Sequence, residues 1–393
     1  MEKTRQILDF NNTELAFKAK SDRRLRQDYR LMRVVDSPFI TWLGPKLLNA
    51  AFAIGLPVEG LVRKTLFQLF GGGESIEGTV KRMEELAAYG VKTILDYSVE
   101  GGNTEAGFDA TASEIARTLV HGGTHPHVAF CACKLTGMAR NELLEKIQAK
   151  KALSQTEKEE FDRVKARVDM LAKTASENAT PLFIDAEESW FQDVIDQLAE
   201  AAMEKYNKEK PVVYTTVQLY RHDRVAYLRS LVERAAQKGY FLGVKLVRGA
   251  YIEKETLRAK EMGYTNPMQP DKKSTDRDYD EAIRICLDAV SHVAFCAGTH
   301  NESSSRLLAE LMDKKSIPHN HPHVWFAQLL GMSDHISFNL AAAGYNVAKY
   351  LPYGPVRAVM PYLIRRAEEN TSIQGQASRE VELLAREVRR RNL

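Results

Sequence analysis

Lys134, Asp185, Lys245 and Arg248 stand at the ends of short β-branched or aromatic runs, outside the long charged stretches of the chain. Glu100, Gln218 and the triplet Thr299-His300-Asn301 close other runs in the same way. Any one of these groups is explained as well by a structural ion pair. Several cations converging on one opening are better explained by an anionic substrate or a phosphate. Lys134 and Lys245 also have the chemistry of Schiff-base nucleophiles, which makes a barrel aldolase or lyase the competing enzyme class.

A second constellation lies near the C-terminus. Pro361–Asn370 reads as a helix, on which Arg365, Arg366 and Glu369 fall within roughly one 100° arc. Two guanidiniums on one face repel unless something anionic sits between them. Glu369 can pair with either, at i,i+4 or i,i+3, and the arginine pair can grip a carboxylate bidentately. Most charge runs are solvated faces. This one directly follows an apolar run, and Tyr350, Pro352, Tyr353 and Pro355 crowd its approach, which favours a helix held at the site.

The elements that must position these groups are regular. Eight short runs read as strands: Val91–Tyr97, Val128–Leu135, Pro181–Asp185, Pro211–Tyr220, Phe241–Val247, His292–Ala297, Val324–Leu330 and Val347–Leu351. Segments of helical period separate them. This alternation predicts an α/β fold, a distorted (βα)8 TIM-type barrel over residues 91–393, its last helix over the barrel mouth. Residues 1–90 read as an N-terminal helical arm. Residues 141–178 are too long for one crossover and read as an inserted helical hairpin. An open doubly wound sheet is the runner-up, but no GxGxxG follows the first run.

A barrel sorts residues by height, with chemistry at the C-terminal strand ends. His125-Pro126-His127 and His319-Asn320-His321-Pro322-His323 precede runs, so they belong to the opposite, structural face. No metal site is expected, and Gly71-Gly72-Gly73 lacks the Gly-Lys-Ser/Thr of a phosphate loop.

Composition narrows the class. With 55 Lys+Arg against 52 Asp+Glu in 393 residues, the chain is nearly balanced, unlike a nucleic-acid-coating protein. Four cysteines without a CxxC pair make no disulfide framework and suit a reducing compartment. No apolar leader opens the sequence, and the apolar stretch 38–58 is broken by Gly44, Pro45, Lys46, Gly55 and Pro57. The expected location is cytoplasmic with peripheral membrane contact. With Arg389-Arg390-Arg391, that stretch also supports a non-enzymatic scaffold reading, which has no use for a carboxylate clamp.

The motifs Lys134-Leu135-Thr136, Phe183-Ile184-Asp185-Ala186-Glu187-Glu188, Thr216-Val217-Gln218-Leu219-Tyr220, Lys245-Leu246-Val247-Arg248-Gly249-Ala250-Tyr251, Gly298-Thr299-His300-Asn301 and Arg365-Arg366-Ala367-Glu368-Glu369-Asn370 occur in that order. Taken together, from Val91 to Gln376, the chain resembles the proline dehydrogenase family, in its monofunctional, eukaryote-like branch. The resemblance implies an FAD-dependent oxidation of L-proline to Δ1-pyrroline-5-carboxylate, with a quinone as electron acceptor. It implies that Arg365, Arg366 and Lys134 hold the proline carboxylate and that Asp185 and Glu369 orient those cations. Tyr251, Leu330 and Tyr350 would enclose the ring, and Glu100 would close the site by pairing with Arg366. Gln218, Lys245, Arg248, Gly249, Ala250, Thr299, His300, Asn301 and Gln328 would contact FAD. Where many bacterial members have Arg-Leu-Val-Lys, this chain has Lys245-Leu246-Val247-Arg248. That keeps a charge beside the flavin but loses the planar fork. A bulky Tyr350 favours proline over hydroxyproline.

Overall fold

A computed structural model describes residues 8–35, 44, 46, 58–99, 103–372 and 376–393, without the side chains of 35, 367–372 and 376–378. Eight parallel strands close a barrel in sequence order: β1 (Val91–Tyr97), β2 (Val128–Lys134), β3 (Leu182–Asp185), β4 (Val213–Gln218), β5 (Leu242–Val247), β6 (Val293–Gly298), β7 (Val324–Leu329) and β8 (Val347–Tyr353). The strands expected from the sequence recur within a few residues at each end. They are legible because strands covered on both faces read as near-continuous apolar runs. The expected hairpin is also present, as helices Asn141–Gln148 and Gln155–Glu177. Ser154 and Glu157 form a capping box at the start of the second, which fixes where it begins.

The chain packs as two compact units, residues 1–99 with 328–393, and residues 100–327. In the second unit, Phe130 stacks on Phe183 at 4.3 Å between centroids, and Tyr214 and Trp325 meet Phe130 edge-on. Arg140 forms a bidentate pair with Glu160, at 2.8 and 2.7 Å, tying the inserted hairpin to itself. The four cysteines are buried and form no disulfide.

In the first unit, helices from both chain ends share one core. Leu25, Phe67 and Phe70 pack with Val359, Leu363 and Leu383. The helix bearing the paired arginines runs Val356–Ser372, with Pro361 inside it. It begins earlier than the Pro361–Asn370 segment read from the sequence. Proline lacks an N–H and usually marks a helix start. Here the burial of Val356, Val359 and Met360 carries the helix through it. Arg391 ties the ends further, donating to the carbonyls of Lys20 and Phe17 at 2.8 and 2.9 Å.

His127 and His323 sit immediately before β2 and β7, at the N-terminal strand ends as expected. Among the described residues, no cluster of His, Cys, Asp or Glu is placed to hold a metal ion, and no helix is long and apolar enough to cross a membrane.

Candidate active site

In the second unit the C-terminal strand ends carry a connected set of polar groups. Lys134 and Asp185 are register partners across β2 and β3. The Lys245 ammonium, on β5, lies 2.5 Å from an Asp185 carboxylate oxygen and 5.3 Å from the centroid of the Phe183 ring. Its side chain is only 5% exposed, so the charge is held by the acid and the ring face instead of water.

Gln218 is buried at the end of β4 and donates to the carbonyl of Glu187 at 2.7 Å. Glu187 is itself buried, and its carboxylate accepts from the Thr136 amide at 3.0 Å and from the Thr136 hydroxyl. It thereby links the segments following β2 and β3. Burial pushes its carboxyl up to about 7, against the opposing pull of the Thr136 bonds and Lys134. The motif containing Glu187 was visible in the sequence, but nothing there distinguishes a buried acid from one in a solvated loop.

A raised folded-state pKa means that the folded form holds the proton more tightly than the unfolded one. Glu187 therefore imposes no penalty below the ordinary carboxyl value of 4.5 and an increasing one as pH rises to about 7, reaching ~3 kcal/mol. Glu187→Gln should gain stability relative to the parent from pH 5 to 7 and level off above it, as urea unfolding at each pH would show. A pH-independent difference would contradict this.

Arg248, just past β5, is fixed from three sides. It donates to Asp276 and Thr299 at 2.7 Å each and to Ser304 at 3.0 Å, and stands 4.3 Å over the Tyr279 ring. The Thr299 hydroxyl also accepts from the Asn301 amide at 3.1 Å, and the Asn301 side chain caps the helix Glu302–Lys314. His300 lies between them, half-buried. Gly249 adopts φ +129°, and a Cβ there would stand 2.6 Å from the Tyr220 ring. Only glycine suits this backbone. The Tyr220 hydroxyl is buried with no hydrogen-bond partner among the described residues. Ala250 is exposed, and Tyr251 precedes the helix Ile252–Met262.

The first unit carries the remaining candidates. Gln328, at the end of β7, accepts from the Ser337 hydroxyl at 2.7 Å. Leu330 and Tyr350 are both buried, and the Leu330 amide donates to the Tyr350 carbonyl at 3.1 Å. Arg365 is half-buried, and Arg366 is buried, 4.9 Å over the Tyr362 ring. Glu369 lies in the same helix, but its side chain is outside the described residues, as is all of Glu100.

A family model described as proline dehydrogenase matches residues 79–379, a span that includes every group above. The chain belongs to the proline dehydrogenase family. It is 30% identical to mitochondrial proline dehydrogenase 1 of Dictyostelium discoideum, over 98% of this chain and 75% of that protein. Its identity to the human mitochondrial enzyme is 41%, over 60% of this chain and 40% of the human one. The carbapenem antibiotics biosynthesis protein CarD of Pectobacterium carotovorum is 31% identical, over 85% of this chain and 86% of that one. Among solved structures, proline utilization A (PutA) from Bdellovibrio bacteriovorus superposes with a TM-score of 0.73 at 19% identity. That match covers 94% of this chain and 40% of the PutA chain, and it bears on fold alone. Within the matched span, Lys134, Asp185, Gln218 and Arg248 lie at or just past C-terminal strand ends, where a barrel places its chemistry.

Proposed function

We propose that this chain oxidises L-proline to Δ1-pyrroline-5-carboxylate, the first step of proline catabolism, with hydride passing to FAD and electrons onward to a quinone. One arrangement carries the reading. The strand-end set of Lys134, Asp185 and Lys245 occurs inside the span matched by the proline dehydrogenase model.

FAD would be held by Gln218, Lys245, Arg248, Gly249, Ala250, Thr299, His300, Asn301 and Gln328. The unpartnered Tyr220 hydroxyl and the fixed Arg248 support an anionic ligand there. When bound, FAD supplies the hydride acceptor. The chain's residues supply position. Arg365, Arg366 and Lys134 hold the carboxylate, with Asp185 and Glu369 orienting them. Tyr251, Leu330 and Tyr350 exclude water from the ring, and Glu100 closes over it. Fixing a rigid ring and desolvating its amine lower the barrier without a dedicated acid or base. Tyr350 narrows the site, so proline is the better substrate and hydroxyproline the poorer.

The Schiff-base alternative is weakened at Lys245, whose ammonium is engaged by Asp185, because an amine must be unprotonated to attack. A quinone acceptor implies peripheral contact with the membrane that holds it. The stretch 38–58, apart from residues 44, 46 and 58, lies outside the described residues. The cytoplasmic expectation stands beside relatives named mitochondrial, and peripheral contact suits either compartment.

The test is the anaerobic visible spectrum of the purified protein before and after L-proline. A flavin band that bleaches with L-proline, and much less with hydroxyproline, is the expected result. A band indifferent to proline would overturn the substrate. No flavin after reconstitution with FAD would overturn the cofactor and bring the lysine-nucleophile reading forward.

A further inference from the structure

The turn after β7 is held by charge from three parts of the first unit. Lys349, on β8 next to Tyr350, is completely buried. Its ammonium donates to the carbonyls of Met332 and Leu329, at 2.7 and 3.3 Å, and lies 2.8 Å from Asp334. The other Asp334 oxygen lies 3.1 Å from the ammonium of Lys20, in the N-terminal arm. Lys20 also pairs with Asp28 at 2.6 Å, and Asp28 with Arg24 at 2.8 Å. The result is one alternating chain of charges, shielded from water, running from the arm to a barrel strand.

The backbone it holds contains two left-handed residues. Gly331 has φ +76°, with a Cβ site 2.4 Å from the Leu69 carbonyl, and Ser333 has φ +51° without being glycine. The Ser333 amide donates to the buried carboxylate of Glu380, from the helix Gln376–Arg390. Leu330 lies in this turn and is bonded through its amide to the Tyr350 carbonyl. Burial alone would raise the Asp334 carboxyl, but Lys20 and Lys349 outweigh it and hold the group well below the ordinary carboxylate range. The carboxylate is therefore a fixed anchor through the neutral range.

We infer that Asp334 is a positioning residue. Its carboxylate, shared between Lys349 and Lys20, sets the turn Leu330–Ser333 and with it the relative placement of Leu330 and Tyr350, so that substrate affinity depends on the N-terminal arm. The inference rests on the reading of Leu330 and Tyr350 as the walls around the proline ring. The Lys20 ammonium pairs with Asp334 and Asp28 and belongs to neither assigned wall, so changing it reports on the chain of charges.

The experiment uses the full FAD-loaded chain. Lys20→Met should raise the KM for L-proline about three- to tenfold, change kcat less than twofold, and shift the proline-to-hydroxyproline ratio of kcat/KM toward hydroxyproline. Lys20→Arg should restore all three. Asp334→Asn should move them in the same direction and further. A purely structural anchor would lower the melting temperature without moving KM or the ratio, and that outcome overturns the inference. If Asp334→Asn yields no folded protein, Lys20→Met and Lys20→Arg decide the question. If the unaltered chain fails to oxidise L-proline, the substrate reading has failed instead, which the parent measurement reveals before any variant is compared.

Discussion

Arg365→Met and Arg366→Met should each lower kcat/KM for L-proline by two to three orders of magnitude, mostly through KM. A guanidinium fork on a carboxylate makes two charge-assisted hydrogen bonds, and removing one partner from a desolvated pair costs about 3–4 kcal/mol. Arg366 should give the larger effect, because it is buried and backed by the Tyr362 ring, where water replaces a lost partner poorly. The flavin spectrum and melting temperature should change little, since neither arginine is among the groups assigned to FAD. Steady-state kinetics with spectra of each variant would decide. An unchanged proline KM in both variants would remove the carboxylate clamp.

Lys245→Met should have the second large effect, on the flavin instead of on proline affinity. The substitution leaves the Asp185 carboxylate, 15% exposed, without the ammonium 2.5 Å away. An abandoned partner of this kind costs about 3–5 kcal/mol. A cation near the flavin also favours the anionic reduced ring. The expected outcome is weaker FAD retention, a more negative flavin potential, and flavin reduction by proline slowed at least about a hundredfold, on the scale of one lost electrostatic contact in a dry site. Lys245→Arg should keep the potential close to that of the parent. If both potential and reduction rate survive Lys245→Met, the lysine serves only to neutralise Asp185. Asp185→Asn in the same background would then restore any lost stability.

Much of this molecule is legible in the order of its residues. The eight apolar runs and the amphipathic segments between them announce a barrel, because strands covered on both faces and helices covered on one leave different periods. The 141–177 hairpin is legible from its length and charge. Catalytic candidates follow once strands are known, since side chains at C-terminal strand ends have a shared destination whatever their separation along the chain. Pro361 shows the limit of local signals: its missing N–H argues for a helix start, and the buried side chains before it overrule that.

The alternation of elements, the order of the motifs and the residue types at the strand ends are properties of short segments, readable along the chain. Which charges meet, and which are dry, follows from how the elements pack. Asp185 takes Lys245 as a partner from two strands away. Glu187 is buried against Thr136, although its motif reads equally well as a solvated loop. Lys349 lies in a barrel strand with no exposed surface, satisfied by two turn carbonyls and an acid that also holds Lys20. Ionic partnership and desolvation depend on every element packed around a group, so no segment carries them alone.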